Sequence, residues 1–481
     1  MNQKGNKTSV ELKASIVYTI ASLFSKGLAI ITVPIFTRLM STEQMGIVNL
    51  YNSWHSMISV VATLSLTSGG YIIAMKEFKN ERDKYMSSVL TLTSCMAIVL
   101  TVIYLLSPTY WESLTGLSRP LMILLLFGLL VSPATEFWLA RQRYEYKYVN
   151  AGVVTIVSAL VASVISIVAL IVAEKMGYKN LGEVRLFSNF FVVYGVALVL
   201  WIYIFVKGKV LVNSKYWKYS LALSIPLIGN SMASQILSVS DRTMISSMVG
   251  NDAVGIYSVL YTVSSISLII WSAINSSFVP FLFEGIEKEE KKEPIKKVAN
   301  QLMFAYGTMA FLITLVAPEI VRILATEEYY EAIYIMPPIA AGVFLTSISN
   351  MYSNVLIYHK KTQFIMISSI TAAVINVTLN CFAINKWGYM AAAYTTMVAY
   401  IVLAIIQAVV SIRVHRAVQK DKQANVYNNS FLLKVSIITI VLCLCCLFLY
   451  RYNIVRYMII IGACIVGIIY RDKIIGIFKK R

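Results

Sequence analysis

The feature that most constrains this chain is a succession of long apolar runs. There are about fourteen, each near the roughly 20 residues an α-helix needs to cross a hydrocarbon core. They fall near 14–37, 46–75, 86–107, 120–140, 148–173, 186–206, 219–248, 253–283, 299–321, 331–358, 364–385, 388–412, 431–450 and 454–470. In lipid every backbone N–H and C=O must be satisfied within the protein, so such runs predict helices and an all-α integral membrane protein. Composition agrees: 14% of the 481 residues are charged, against roughly 25% in a soluble domain. Several runs are longer than a bilayer requires and must tilt, bend or project. The last pair is the least regular, because Arg451 and Arg456 crowd its turn. The first run is too long for a cleaved signal peptide, and no small-residue cleavage site precedes a soluble domain.

The formal charge of +19 sorts by side. Dense Lys/Arg occupies the N-terminus, the even-numbered gaps (Lys76–Lys84, Arg141–Lys147, Lys207–Lys218, Lys288–Lys297, Lys360–Lys361, Arg413–Lys422) and Arg471–Arg481. About 31 basic residues fall there against about 10 near the odd-numbered gaps, so the positive-inside rule puts both termini in the cytoplasm. The basic loops are a topology signal, and nucleic acid is not an expected partner. The cysteines all lie inside the spans as small buried hydrophobes. His55, His359 and His415 are scattered and support no metal site.

The chain also repeats. Glu43-Gln44-Met45-Gly46-Ile47 matches Asp252-Ala253-Val254-Gly255-Ile256 at an offset of 209 residues. Met176-Gly177-Tyr178 matches Trp387-Gly388-Tyr389 at 211, and Val164-Ile165-Ser166 matches Val374-Ile375-Asn376 at 210. The expected organisation is two pseudo-symmetric six-helix lobes, 1–206 and 219–412, joined by a cytoplasmic linker, 207–218. A second linker, 413–430, leads to two extra helices and a basic tail, 431–481. Parallel repeats of this kind are a recurring transporter design, with substrate held between the repeats. The Glu284–Lys292 charge run reads as a solvated helix end.

Lys26 lies about 18 Å of helix from either end of its span, too deep for its side chain to reach the interface easily. A charge at that depth costs from about 3 to more than 10 kcal/mol, so it faces a polar interior or pairs with a carboxylate. The repeat places Gln235 at the corresponding position of span 7. Deep acids are few: Asp241, in span 7, and Glu136, which lies near Arg141 and reads as interfacial. Asp241 and Arg242 are sequence neighbours, which on a regular helix do not face each other, so an ion pair between them is not expected. Arg38 ends span 1, placed for the interface or for substrate. Asn230 and Gln235 in span 7, Asn350 and Asn354 in span 10, and Asn376 and Asn380 in span 11 can bond neighbouring helices at roughly 0.6–2 kcal/mol each; they can equally bind sugar hydroxyls. The cavity candidates are therefore Lys26, Arg38, Asn230, Gln235, Asp241, Arg242, Asn376 and Asn380, with no catalytic residue, metal or cofactor.

Several segments resemble polysaccharide transporters of the multidrug/oligosaccharidyl-lipid/polysaccharide (MOP) superfamily, which includes O-antigen and capsule flippases. They are Pro34-Ile35-Phe36-Thr37-Arg38-Leu39 followed by Gly46, Ser224-Ile225-Pro226-Leu227 leading to Asp241-Arg242, and Val254-Gly255-Ile256-Tyr257-Ser258. Asn376 and Asn380 before Trp387-Gly388-Tyr389 and Ala391–Ala393 complete the likeness, which covers essentially the whole chain. It implies a MOP/MATE-like fold of about fourteen helices in a bacterial cell membrane. It further implies outward translocation of undecaprenyl-diphosphate-linked oligosaccharide repeat units by alternating access, with membrane lipids and polysaccharide polymerase or assembly proteins as partners. A lipid II flippase and a MATE-type multidrug or cation exporter are the rivals within the superfamily, the latter favouring deep carboxylates over a deep lysine. A membrane polymerase or glycosyltransferase would need larger loops than these gaps provide. No P-loop is present for direct ATP hydrolysis.

Overall fold

The computed structural model describes residues 2–67, 70–421 and 423–469. The expected basic tail, Arg471–Arg481, and Lys422 lie outside the described residues. Among those described there is no strand, and the helices are α1 (Asn2–Leu39), α2 (Thr42–Ala62), α3 (Gly70–Glu77), α4 (Arg82–Leu106), α5 (Pro108–Thr115), α6 (Arg119–Tyr144), α7 (Tyr148–Lys175), α8 (Leu181–Gly208) and α9 (Ser214–Met248). They continue as α10 (Asn251–Ser264), α11 (Ser267–Gly285), α12 (Glu289–Leu315), α13 (Ala317–Leu324), α14 (Met336–Tyr358), α15 (Gln363–Trp387), α16 (Ala391–Gln419), α17 (Asn429–Leu449) and α18 (Asn453–Ile469).

Eleven of these segments are long and apolar enough to cross a membrane, and α9 is a twelfth if its two halves form one span. They bend by 49° between Ile225 and Leu227, where Pro226 has no N–H to give the helix ladder. The chain is a multi-pass membrane protein. The expected spans 2 and 8 are both interrupted: α2 and α3 are separate helices, as are α10 and α11. Leu64 and Ser65, in the first interruption, adopt left-handed φ values of 52° and 49°.

The chain packs as two compact units, Met1–Val259 with Thr362–Ala392, and Leu260–Lys361 with Ala393–Arg481. In the first, α6 and α8 pack together, α1 lies on α7, and α9 is held between α2 and α15. Its core has an apolar cluster around Leu125, Leu129 and Tyr194 and an aromatic one around Tyr71, Tyr85, Phe137 and Tyr216. The Arg141 guanidinium gathers Asp83 and Glu145 at the end of α6, and Lys147 adds a 2.7 Å bond to Glu145. Burial alone would raise the Glu145 carboxyl, but hydrogen bonds from Lys147 and Arg141 bring it down to about 2.

In the second unit α17 packs on α12 and α14, and Trp271, Tyr306 and Phe344 form an aromatic row with centroids 5.2 and 5.9 Å apart. His359 and His415, distant in sequence, meet with Nε2 and Nδ1 3.0 Å apart. Asn354 Nδ2 donates to Asn275 Oδ1 at 2.8 Å, so this amide joins helices.

The repeat has a geometric counterpart in the first unit. Helices α2 and α10 begin at Thr42 and Asn251, the same offset of 209 that relates Gly46 to Gly255. A Cβ on Gly46 would lie 1.8 Å from the carbonyl oxygen of Asn251, and one on Gly255 would lie 2.0 Å from that of Thr42. The contact is reciprocal: each glycine accepts the first residue of the partner helix against its backbone. Thr42 Oγ1 adds a 2.7 Å bond to Asp252 Oδ1. Gly177 and Gly388, the other repeat-related pair, share left-handed φ values of 72° and 75°, which glycine adopts without steric cost after a helix end.

Candidate functional site

The first unit carries the sequence-predicted residues, and Lys26 is the most informative. At 3.6 residues per turn, Ala21, Thr32 and Phe36 share one buried face of α1, and the Arg185 guanidinium of α8 lies over the Phe36 ring at 3.7 Å. Ile20, Phe24 and Ile31 are exposed along one flank, and Leu23 is exposed between that flank and Lys26. Lys26 is exposed on the opposite flank with Ser22 and Ala29. The two flanks differ in chemistry. A wide apolar surface suits hydrocarbon, whereas a charge flanked by a hydroxyl and a small side chain suits a polar interior. Among the described residues Lys26 makes no hydrogen bond and no ion pair. Arg38, also exposed, ends α1 and donates from Nη1 to the Pro34 carbonyl at 2.9 Å.

Glu136 does not pair with Arg141, its near neighbour in the sequence. Arg141, expected beside it, is taken by Asp83 and Glu145. Glu136 instead is exposed and accepts from Thr67 Oγ1 at 3.1 Å. The cause is rotational: Glu136 and Arg141 are five residues apart, about 140° around a helix. The unit thus presents a second charge within an apolar span, of sign opposite to Lys26.

On α9, Asp241 and Arg242 form the ion pair that helix geometry argues against. Arg242 Nη1 lies 3.0 Å from Asp241 Oδ1, and the Arg242 backbone N–H donates to the same oxygen at 2.9 Å. The carboxylate folds back on its own turn, and the guanidinium lies along the helix with Nη1 also bonded to the Ser238 carbonyl at 2.7 Å. A long side chain bends where its backbone vector does not point. Tyr257 of α10 donates to Asp241 Oδ2 at 2.6 Å. Ser240 Oγ donates to Asn376 Oδ1, and Asn380 Nδ2 reaches the same oxygen, both at 3.3 Å. Asp241, Arg242, Asn376 and Asn380 are therefore brought together as buried polar side chains binding α9, α10 and α15. Gln235 is half-buried, as is Asn230, whose Oδ1 is buried without a partner among the described residues.

Sequence reasoning missed Tyr257, although it directly follows the repeated Gly-Ile pair, and the Thr67–Glu136 contact, which depends on the break in span 2. It also did not anticipate that the repeated glycines touch.

These features define a multi-pass helical membrane protein with an internal repeat and isolated charges in its spans. Comparison with known proteins places that class. The family model described as "Polysaccharide biosynthesis protein" matches residues 12–286, more than half of the chain, and the chain belongs to this family. The MatE family model matches residues 226–382. No curated protein matches the sequence. The fold is that of MOP-superfamily transporters. It is similar to a structure of the lipid II flippase MurJ in an inward closed conformation, at 18% identity and TM-score 0.63, covering 95% of this chain and 100% of that one. It also resembles an inward-facing multidrug resistance MATE transporter at 15% identity and TM-score 0.63, covering 85% and 100%. A third similar structure is a MOP-superfamily transporter from Pyrococcus furiosus described as having a binding pocket of reversed polarity, at 13% identity and TM-score 0.58, covering 85% and 96%.

Proposed function

We propose that the chain is a flippase that carries an undecaprenyl-diphosphate-linked oligosaccharide from the cytoplasmic to the outer leaflet of a bacterial cell membrane, for surface polysaccharide assembly. The observation that carries this reading is Lys26: an exposed ammonium within an apolar helix, with no ion-pair partner among the described residues. A diphosphate is a dense anion with strong hydrogen-bond acceptors, and an ammonium in a low-dielectric cavity offsets part of its desolvation. Asn230 and Gln235 offer amides to sugar hydroxyls, and the polyprenyl tail stays in lipid. Both termini are cytoplasmic by the distribution of Lys and Arg. On that orientation the Gly46–Gly255 contact closes the outer ends of α2 and α10, and outward release requires these ends to part while the repeat-related lobes rock.

The test is complementation of a deletion strain. Lys26→Ala at normal protein level abolishes polysaccharide export, and Lys26→Arg retains more activity than Ala. Full export by the alanine variant would refute the role. Glu136 supports a second reading, a cation exporter, since an exposed deep carboxylate suits a cationic substrate. That reading predicts altered drug tolerance in Glu136→Gln with export unaffected by Lys26→Ala.

A further inference from the structure

The second unit has a groove that the proposed transport does not use. It lies where α16 and α17 diverge over α14, with a volume of about 360 Å³. Leu345 and Ile348 of α14 line it together with Ala404 and Ala408 of α16, whose small side chains sit one helical turn apart. Its mouth is rimmed by exposed apolar side chains, Ile405 and Val409 on one side and Leu433 and Ile437 on the other. Near Ile401 and Ile440 it ends at the packed cluster of Ala341, Met397 and Cys443. Its opposite end is polar: Tyr352 donates to Asn429 Oδ1 at 2.9 Å, and Asn429 Nδ2 donates to Asn425 Oδ1 at 3.0 Å.

Two dimensions identify the occupant. From Ile401 to Ile412, and from Asn429 to Ile440, the lining helices rise about 16 Å at 1.5 Å per residue. Half of a hydrocarbon core is about 15 Å, so the groove is one leaflet deep. That depth is the reach of one acyl chain into its leaflet. An extended undecaprenyl tail is far longer than the roughly 16 Å of this groove. The polar end lies toward the segment joining α16 to α17, where Lys420 and Asp421 are exposed; Arg413, near the end of α16, and Lys434, near the start of α17, are exposed as well. Arg416 anchors that segment through Asn425 Oδ1 at 3.0 Å. An exposed cationic rim at a membrane surface attracts anionic headgroups.

We propose that this groove binds an anionic phospholipid of the cytoplasmic leaflet, with one acyl chain between α16 and α17 and its phosphate at the basic segment. The experiment is native mass spectrometry of the delipidated full-length protein titrated with palmitoyl-oleoyl phosphatidylglycerol or the matching phosphatidylcholine. Phosphatidylglycerol binds about tenfold more tightly. Ala408→Phe, which fills the groove, weakens it about tenfold, and Leu433→Gln, at an exposed position with no packing to lose, weakens it in the same direction. The double variant Arg413→Gln/Lys434→Gln abolishes the preference between headgroups while retaining phosphatidylcholine binding. Equal affinity for the two lipids in the unaltered protein would overturn the proposal, as would binding unchanged by both groove variants. Displacement of phosphatidylglycerol by equimolar undecaprenyl phosphate would overturn it too, by making the carrier lipid the occupant.

Discussion

Gly255→Ala is a substitution whose consequence can be worked from the structure. Its new Cβ would lie 2.0 Å from the Thr42 carbonyl oxygen, 2.9 Å from that carbonyl carbon and 3.0 Å from the Gly46 nitrogen. All three atoms are backbone, so no rotamer change relieves the clash. Restoring an ordinary contact of about 3.4 Å requires α2 and α10 to separate by about 1.4 Å. Overpacking of this kind costs about 1–3 kcal/mol. Because the cost falls only on the conformation in which the two helix ends touch, it shifts the equilibrium about 5- to 150-fold toward the parted state. Gly46→Ala acts on the reciprocal contact and has the same sign, and the double variant adds less than the sum because the first substitution has already opened the gap. The readout is a cysteine at Met45, which is buried beside the contact, in a background lacking Cys95, Cys381 and Cys445, which are exposed and not buried as their place in the spans suggests. Labelling of whole cells by a membrane-impermeant maleimide rises at least fivefold in either alanine variant. Unchanged labelling with unchanged thermal stability and export would refute the reasoning, because the ends would then tolerate a methyl group without parting.

Three further outcomes follow from the same structure. Asp241→Asn removes the carboxylate that pairs with the buried Arg242 guanidinium and accepts from Tyr257, a loss read as a fall in melting temperature in detergent; Asp241→Asn/Arg242→Gln recovers part of that loss. Glu145 is depressed to about 2 from 4.5, so its stabilising contribution is complete above about pH 4.5 and is lost as pH falls toward 2. Glu145→Gln lowers the melting temperature at pH 7 and flattens its decline below pH 4.5. Glu136→Gln, which keeps the Thr67 bond, leaves stability within about 0.5 kcal/mol by denaturant unfolding, and a larger loss would mean that the carboxylate is structural.

What was legible in the sequence follows from the range of the forces involved. Helical spans were readable because each apolar run answers to the bilayer directly, with no partner needed. The repeat was readable because Gly46 and Gly255 keep their spacing, but their contact depends on how two helices cross. The break between α2 and α3 was hidden, because Leu64 and Ser65 are ordinary apolar and polar residues that sequence gives no reason to place at positive φ. Position alone misled twice. Arg242 reaches Asp241 through side-chain flexibility, and Glu136 turns away from Arg141 through helical rotation. Lys26 was legible because a deep charge is expensive in any arrangement. That no described carboxylate pairs with it could only be learned from the surrounding side chains.

The central claim is that the Lys26 ammonium supports passage of a lipid-linked diphosphate across the membrane. The most direct measurement is the leaflet distribution of lipid-linked repeat units in spheroplasts, read as the fraction open to an added impermeant glycosidase. With Lys26 present that fraction is substantial. With Lys26→Ala at equal protein level it falls to that of the deletion strain while the total pool rises, and Lys26→Arg restores it in part. An accessible fraction unchanged by Lys26→Ala would contradict the account.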